Sequence, residues 1–294
     1  MANDYVEGMV LKNYGGFYYV QNTEENIYEC KLRGKIKQQV LTGDKVLFTP
    51  LDDSRGILEK ILARRNELLR PRIANVDLLL IVMANDKPAP SLRLLDSLLI
   101  NAYYYKLIPY IILNKSDLPE DSRATLIKQY YCRVGFNVLQ TSVISNRGID
   151  LLRNIINHSV TVMAGPSGSG KSSLSNCLIK GAGIKTQEVS NKIGRGKHTT
   201  RHVELFPLLT GGWVADTPGF SVVNISNIDS SKLADYYPDF QEYKKNCQYS
   251  NCMHYREKEC AVKQAVDNGL IAKFRYDNYV TMIEELNKNK RCYS

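Results

Sequence analysis

The sequence predicts a multidomain chain: a small OB-like β-barrel, a central α/β domain with a mostly parallel sheet, and a mainly helical C-terminal module around a metal-binding cluster. Three observations predict it. Short β-rich segments separated by turns fill roughly the first 66 residues. From Leu68 onward, nearly continuous apolar runs alternate with helical patterns. Three cysteines and a histidine crowd between residues 247 and 260. The expected domains are 1–66, 67–223 and 224–294.

In the first part, Glu7–Leu11, Phe17–Gln21, Ile27–Leu32 and Lys45–Pro50 are rich in β-branched and aromatic residues. Tyr14-Gly15-Gly16, Asn22-Thr23-Glu24 and Thr42-Gly43-Asp44 are turn signals between them. Some five short strands over this length suit a small closed barrel. Lys31, Arg33, Lys35 and Lys37 give it a basic stretch. Basic and aromatic residues on such a barrel suit oligonucleotide binding; a structural β-module with solvated lysines is the alternative.

In the second part, Val76–Ala84 and Leu107–Leu113 have the apolar continuity of strands buried on both faces. Ser91–Ala102 between them has helical spacing. Asn137–Thr141, Ser159–Ala164 and Gly212–Ala215 read as further strands, and Gly148–Ile156 as a helix. After about Val223 the chain turns polar and helical, ending in an expected helix over Ala272–Asn287.

Composition sets limits. Of 294 residues, 44% are hydrophobic and 23% charged, which fits a globular chain. The longest apolar run, Val76–Ala84, contains Asp77 and falls well short of the roughly 18 residues of a membrane span. Met1-Ala2-Asn3-Asp4 has neither the basic nor the apolar segment of a signal peptide, so a cytoplasmic protein without a membrane partner is expected. The net charge of +9 favours an anionic partner, nucleic acid before membrane surface. The seven cysteines are expected to be free or metal-bound in a reducing compartment.

The chemistry starts at Gly165-Pro166-Ser167-Gly168-Ser169-Gly170-Lys171-Ser172, which fits G-x-x-x-x-G-K-[ST] with a strand before it and a helix, Ser172–Ile179, after it. The glycines let backbone amides turn toward phosphate oxygens, and the helix N-terminus adds positive dipole. Lys171 is placed to reach the β- and γ-phosphates, Ser172 to ligate Mg²⁺, and Ser173 to make a further nucleotide contact. This loop alone does not choose among ATPase, kinase and GTPase.

Three further boxes choose guanine nucleotides. Asn114-Lys115-Ser116-Asp117 follows an apolar strand. A carboxylate at Asp117 can accept both N–H groups of guanine, a pairing adenine does not offer. Lys115 can lie along the base, and Thr141-Ser142-Val143 can approach its O6 side. Asp216-Thr217-Pro218-Gly219 also ends a strand; Asp216 suits Mg²⁺ and the Gly219 amide suits the γ-phosphate. Lys197-His198-Thr199-Thr200-Arg201 lies where a switch threonine belongs; Thr199 or Thr200 can close on Mg²⁺ and γ-phosphate together. Where many GTPases place a water-orienting Gln, after Gly219, this chain has Phe220. Slow intrinsic hydrolysis is therefore expected unless another group or a partner acts; His198 is the internal candidate for orienting water, with a solvated loop histidine as the alternative. Arg195, Lys197 and Arg201 can contact phosphate or RNA, or can form a solvated basic loop.

The order of the boxes is inverted. Asn114 precedes Gly165 by 165 − 114 = 51 residues, whereas in an ordinary GTPase the guanine box follows the phosphate loop. A circular permutation, with old termini joined and the chain cut elsewhere, reconciles this order with one sheet and one pocket.

Cys247-x₄-Cys252-x-His254-x₅-Cys260 supplies three thiolates and one imidazole, a closed tetrahedral Zn²⁺ set of the structural kind. Lys244, Lys245, Arg256 and Lys258 around it suit docking on nucleic acid.

With these motifs the chain resembles the circularly permuted, small-subunit-dependent GTPases called RsgA (also YjeQ or YloQ). The matching residues are Asn114–Asp117, Gly165–Ser172, Gly196–Thr200, Asp216–Phe220 and the Cys247, Cys252, His254, Cys260 set. The resemblance covers essentially the whole chain. It implies an N-terminal OB-fold, late maturation of the 30S subunit, rRNA contact by the flanking domains and subunit-stimulated GTP hydrolysis, with His198 matching the switch histidine. Val143, where many GTPases have alanine, is a small departure. The expected partners are GTP or GDP, the small ribosomal subunit and its rRNA, and the expected state is a monomer. The competing reading is an RNA-binding assembly factor whose nucleotide is mainly a structural or regulatory ligand.

Overall fold

The computed structural model describes residues 5–34, 36–180, 203–216, 225 and 227–292. Five strands form the N-terminal barrel: β1 (Val6–Tyr14), β2 (Phe17–Asn22), β3 (Ile27–Leu32), β4 (Lys45–Pro50) and β5 (Arg55–Ile61). They close in the order β1-β2-β3-β5-β4, with β3 and β5 parallel. Alternate residues point inward, so Val10, Val20, Cys30, Val46, Phe48 and Leu58 fill the interior. Closure satisfies every strand edge, which a five-stranded open sheet would leave exposed. On the outside, the Lys31 ammonium sits 5.4 Å from the Phe17 ring centre, so part of the basic stretch is stacked on an aromatic face.

A two-stranded ribbon, β6 (Glu67–Leu69) and β7 (Arg72–Ala74), leads into the central sheet. That sheet contains β8 (Leu78–Ala84), β9 (Ile108–Asn114), β10 (Asn137–Gln140), β11 (Val160–Ala164), β12 (Glu204–Pro207) and β13 (Trp213–Asp216). Its spatial order is β10-β9-β8-β11-β13-β12. All neighbours are parallel except β12 with β13. From β10 the chain crosses behind β9 and β8 to enter β11, so the two chemical boxes return to one sheet despite their inverted order.

Strand β8 is buried along its whole length. Leu78, Leu80 and Val82 face helices α3 (Ile149–Ile156) and α4 (Lys171–Leu178); Leu79, Ile81 and Met83 face α1 (Leu92–Tyr104). Helices on both faces explain why the strand sequence is apolar throughout instead of alternating. Ser91 caps α1 by accepting from the Leu94 amide at 3.3 Å.

The C-terminal module combines short 3₁₀ turns at Ser230–Tyr236 and Pro238–Phe240 with helices Gln241–Lys244, Ala261–Asp267 and Lys273–Cys292. Tyr237, Phe240, Tyr279, Met282 and Ile283 form its core, and Ile100 of α1 is part of the same cluster. The module is bolted to α1 by buried charge. Arg275, 1% exposed, donates to Asp96 on α1 and to Asp239, at 2.8 Å for the latter. Burial alone would lower the Arg275 pKa; the two carboxylates outweigh it and hold the guanidinium well above its ordinary value. Its plane lies 4.4 Å from the Tyr237 ring centre. Among the described residues, no helix is long and apolar enough to cross a membrane.

Candidate functional site

Parallel pairing puts three strand ends at one edge. Ala84 pairs with Asn114 between β8 and β9, Ala164 pairs with Ile81 between β11 and β8, and β13 runs parallel to β11 up to Asp216. The guanine box, the phosphate loop and the Asp216 backbone therefore share the carboxyl edge of the sheet, where ligands of such folds gather.

The phosphate loop is shaped by its glycines. Gly165 has φ 142°, and a Cβ there would lie 2.1 Å from the Val82 carbonyl oxygen, so only glycine lets the loop leave β11 beside β8. Gly170 has φ 95°, and its Cβ would meet the Asn114 amide nitrogen at 2.2 Å. That contact exists because the Asn114 side chain donates to the Ser169 carbonyl at 3.0 Å. Asn114 also accepts from the Thr141 hydroxyl at 3.1 Å. One buried amide thus joins the guanine box, the phosphate loop and the end of β10.

The remaining residues line an open cradle. Ser167, Gly168, Ser172 and Ser173 are exposed. Lys171 starts α4 and donates to the Gly165 and Pro166 carbonyls at 2.9 and 2.7 Å, folding back over its own loop. Burial lowers its pKa, so an anion placed beside it is favoured. Ser169 is fully buried, and its hydroxyl, like that of Ser116, has no partner among the described residues. Such orphaned hydroxyls fit a site that expects further polar groups.

On the guanine side, Asp117 is exposed and accepts from the buried Ser142 hydroxyl, which fixes the carboxylate next to the Thr141–Ser142 backbone. Lys115 adopts φ 60° and donates to the Lys87 carbonyl at 2.7 Å, so its stem runs across the loop near Gly170. Sequence reasoning missed Asn85. Its amide nitrogen donates to the Leu118 and Pro119 carbonyls at 3.0 and 3.1 Å, and its backbone N–H donates to the Asn114 carbonyl at 2.7 Å, bracing the guanine box from β8. The available signal was a polar Asn85-Asp86 pair at the end of an apolar strand. Arg195, Lys197, His198, Thr199, Thr200, Arg201, Gly219 and Phe220 lie outside the described residues, as does the Asp216 side chain.

The second site brings all four candidate ligands together. The ligand atoms of Cys247, Cys252, His254 and Cys260 lie within 4.8 Å of one another. His254 Nδ1 is 3.5 Å from Cys247 Sγ and 3.3 Å from Cys260 Sγ, and the two sulfurs are 3.9 Å apart. These separations suit four ligands around one ion, and the cluster is able to hold a metal. The loop is held from outside the cluster. Glu257 accepts from the Met253, Tyr255 and Arg256 amides, and Tyr276 donates to the His254 carbonyl at 2.9 Å. Cys260 opens the helix Ala261–Asp267, which fixes one ligand to a rigid element.

Two family models match parts of the chain. The family model for the RsgA N-terminal domain matches residues 7–58, and that for the RsgA GTPase matches residues 61–226. A curated small ribosomal subunit biogenesis GTPase RsgA of Carboxydothermus hydrogenoformans is 45% identical over 97% of this chain and 99% of its own length. Its counterpart from Alkaliphilus metalliredigens is 42% identical over the same shares. Among solved structures, YjeQ from Thermotoga maritima superposes with a TM-score of 0.83 at 32% identity, covering 96% of this chain and 98% of that one. YloQ, described as a circularly permuted GTPase, gives 0.81 at 34% identity, covering 98% and 97%. With both motifs on one sheet edge and these full-length likenesses, the chain belongs to the RsgA GTPase family.

Proposed function

We propose that this GTPase acts in late maturation of the small (30S) ribosomal subunit: it binds the subunit and its rRNA with GTP bound, and leaves when subunit-stimulated hydrolysis yields GDP. The carrying observation is the Asn114–Ser169 hydrogen bond, which makes the guanine-reading box and the phosphate loop one unit in spite of their inverted order. The relatives named for small ribosomal subunit biogenesis support the choice of partner. The net charge of +9 supports an rRNA surface.

In this reading Asp117 selects guanine, with Ser142 and Asn114 holding the box. The backbone N–H groups from Ser167 to Ser173 and the Lys171 ammonium take the phosphate oxygens; Lys171 exchanges its two carbonyl partners for them. Ser172, Thr200 and Asp216 would hold Mg²⁺, which supplies charge neutralisation on the β- and γ-oxygens. Thr199 or Thr200 with Gly219 senses the γ-phosphate, and His198 orients water. Zinc is the ion for the cluster at Cys247, Cys252, His254 and Cys260: thiolates around Zn²⁺ at about 2.3 Å stand roughly 3.8 Å apart, close to the 3.9 Å observed. The working units are residues 1–66, 67–223 and 224–294, in a cytoplasmic monomer.

The test is GTP turnover with and without purified small subunits, together with co-sedimentation in GTP, GDP or a non-hydrolysable analogue. Stimulated turnover and GTP-favoured binding are expected. Equal turnover and nucleotide-independent binding would overturn the reading.

A further inference from the structure

A cleft of about 500 Å³ opens between the barrel and the sheet. Asp77, Val160 and Trp213, which line it, lie at or next to the starts of β8, β11 and β13. The cleft is therefore at the opposite edge of the sheet from the nucleotide residues. Its volume lies within the range of about 300–1,000 Å³ usual for ligand clefts.

The chemistry of the walls is specific. Trp213 on the sheet donates its indole N–H to Gln21 of the barrel at 3.3 Å and so bridges the seam. His158 beside it is exposed, and its ring has no hydrogen-bond partner among the described residues. Trp213 and His158, both ring-bearing, line the cleft from the sheet side. Across from them the barrel offers Lys45 and Glu7, neither with an ion-pair partner among the described residues. Asp77 is already neutralised by Arg65 at 2.6 Å and accepts from the Val160 amide at 2.8 Å. Arg65 also lines the cleft but is paired with Asp77, so an inorganic anion would find Lys45 as the lining cation without an ion-pair partner among the described residues and would leave the Trp213 ring and the Glu7 carboxylate unused. A nucleobase uses all of them: its face stacks on a ring, its exocyclic amine donates to Glu7, and its phosphate meets Lys45.

We propose that this cleft takes one unstacked nucleotide of a single-stranded RNA segment, its base against the Trp213–His158 wall and its phosphate on Lys45. The proposal deepens the ribosomal reading above and rests on it for the source of the RNA. Its consequence lies in β13. Trp213 begins this strand and Asp216 ends it, about 10 Å away at roughly 3.3 Å per residue. RNA docking and the Mg²⁺ box meet on the same four-residue strand.

Trp213 is the single tryptophan of the chain, so its fluorescence reports on the cleft directly. The full-length protein, saturated with GDP and Mg²⁺, is titrated with an eight-residue single-stranded RNA, an abasic oligomer of equal length, and AMP. A saturable change with RNA is expected, weaker by about tenfold in His158→Ala, as loss of one stacking partner predicts, and weaker also in Lys45→Ala. The abasic oligomer should leave the signal flat. An equal response to the abasic oligomer would reduce the site to a charge contact and overturn the proposal. A response to AMP but none to RNA would overturn the RNA assignment. If RNA leaves Trp213 unchanged while subunits still stimulate GTP hydrolysis, the cleft proposal falls and the ribosomal function stands. If subunits have no effect on wild-type turnover, the ribosomal reading falls whatever Trp213 reports.

Discussion

Asn114 donates its side-chain amide to the Ser169 carbonyl across a sequence gap of 55 residues. The bond joins the two motifs of the nucleotide site inside a buried environment, where an unmade bond is expensive. Asn114→Ala leaves the Ser169 carbonyl and the Thr141 hydroxyl without this partner. GDP affinity is expected to fall roughly tenfold or more, equivalent to about 1–3 kcal/mol. Gly170→Ala should do the same by driving a methyl into the Asn114 amide. Titration with a fluorescent GDP analogue checks both; wild-type affinity in either variant contradicts the link.

In the proposed reading, base choice rests on Asp117. Its carboxylate is oriented by the Ser142 hydroxyl and can only accept hydrogen bonds when ionised. Asp117→Asn replaces one acceptor by a donor, which suits the 2-oxo group of xanthine. Turnover of GTP should collapse and turnover of XTP should appear, as measured by phosphate release. A variant that still prefers GTP would remove Asp117 from the specificity role.

Lys171 separates binding from chemistry. The half-buried ammonium rests on two loop carbonyls, so its removal leaves the loop backbone intact but takes away the charge meant for phosphate. Lys171→Ala is expected to lower subunit-stimulated turnover by about 10²–10³-fold, the scale of losing one stabilising donor. A folded variant that has lost turnover yet still supports subunit maturation normally would favour nucleotide as a mainly structural ligand.

Arg275 tests how the C-terminal module is attached. Arg275→Met would strand Asp96 and Asp239 as buried carboxylates without their cation. Breaking such a pair costs about 3–5 kcal/mol, and the melting temperature should fall by roughly 10 °C. Adding Asp96→Asn and Asp239→Asn should recover part of the loss, because uncharged amides need no counter-ion. Thermal denaturation of the three proteins checks the order.

Metal removal should act locally. Elemental analysis is expected to find one zinc per chain, absent after chelation or in Cys260→Ser. Proteolysis should then cut within 247–260, since the loop there is held mainly by its ligands and by Glu257. GDP binding should survive, as no hydrogen bond among the described residues joins the nucleotide residues to the cluster. Loss of GDP binding on chelation would tie the two sites together.

Much of the fold was legible locally. Leu78–Ala84 announced itself because a strand covered on both faces must be apolar at every position. The turn at Tyr14–Gly16 followed from turn chemistry, and the helix after Ser91 from its apolar spacing. The ribbon Glu67–Ala74, the edge strand Glu204–Pro207 and the helical stretch Ser122–Tyr131 did not, because short elements carry too few residues for a period to show.

The sequence by itself determined the type of each site. Residue types at fixed spacing dictate a phosphate loop, a guanine box and a Cys/His cluster, since each is a local chemical requirement. Only the tertiary structure decided how they are joined. Asn114 meets Ser169 and Arg275 meets Asp96 across gaps of 55 and 179 residues, and the Trp213–Gln21 bridge spans 192. Such pairs leave no periodic trace in the chain; they exist because strand order and helix packing bring distant side chains within hydrogen-bond reach and exclude the water that would otherwise satisfy them.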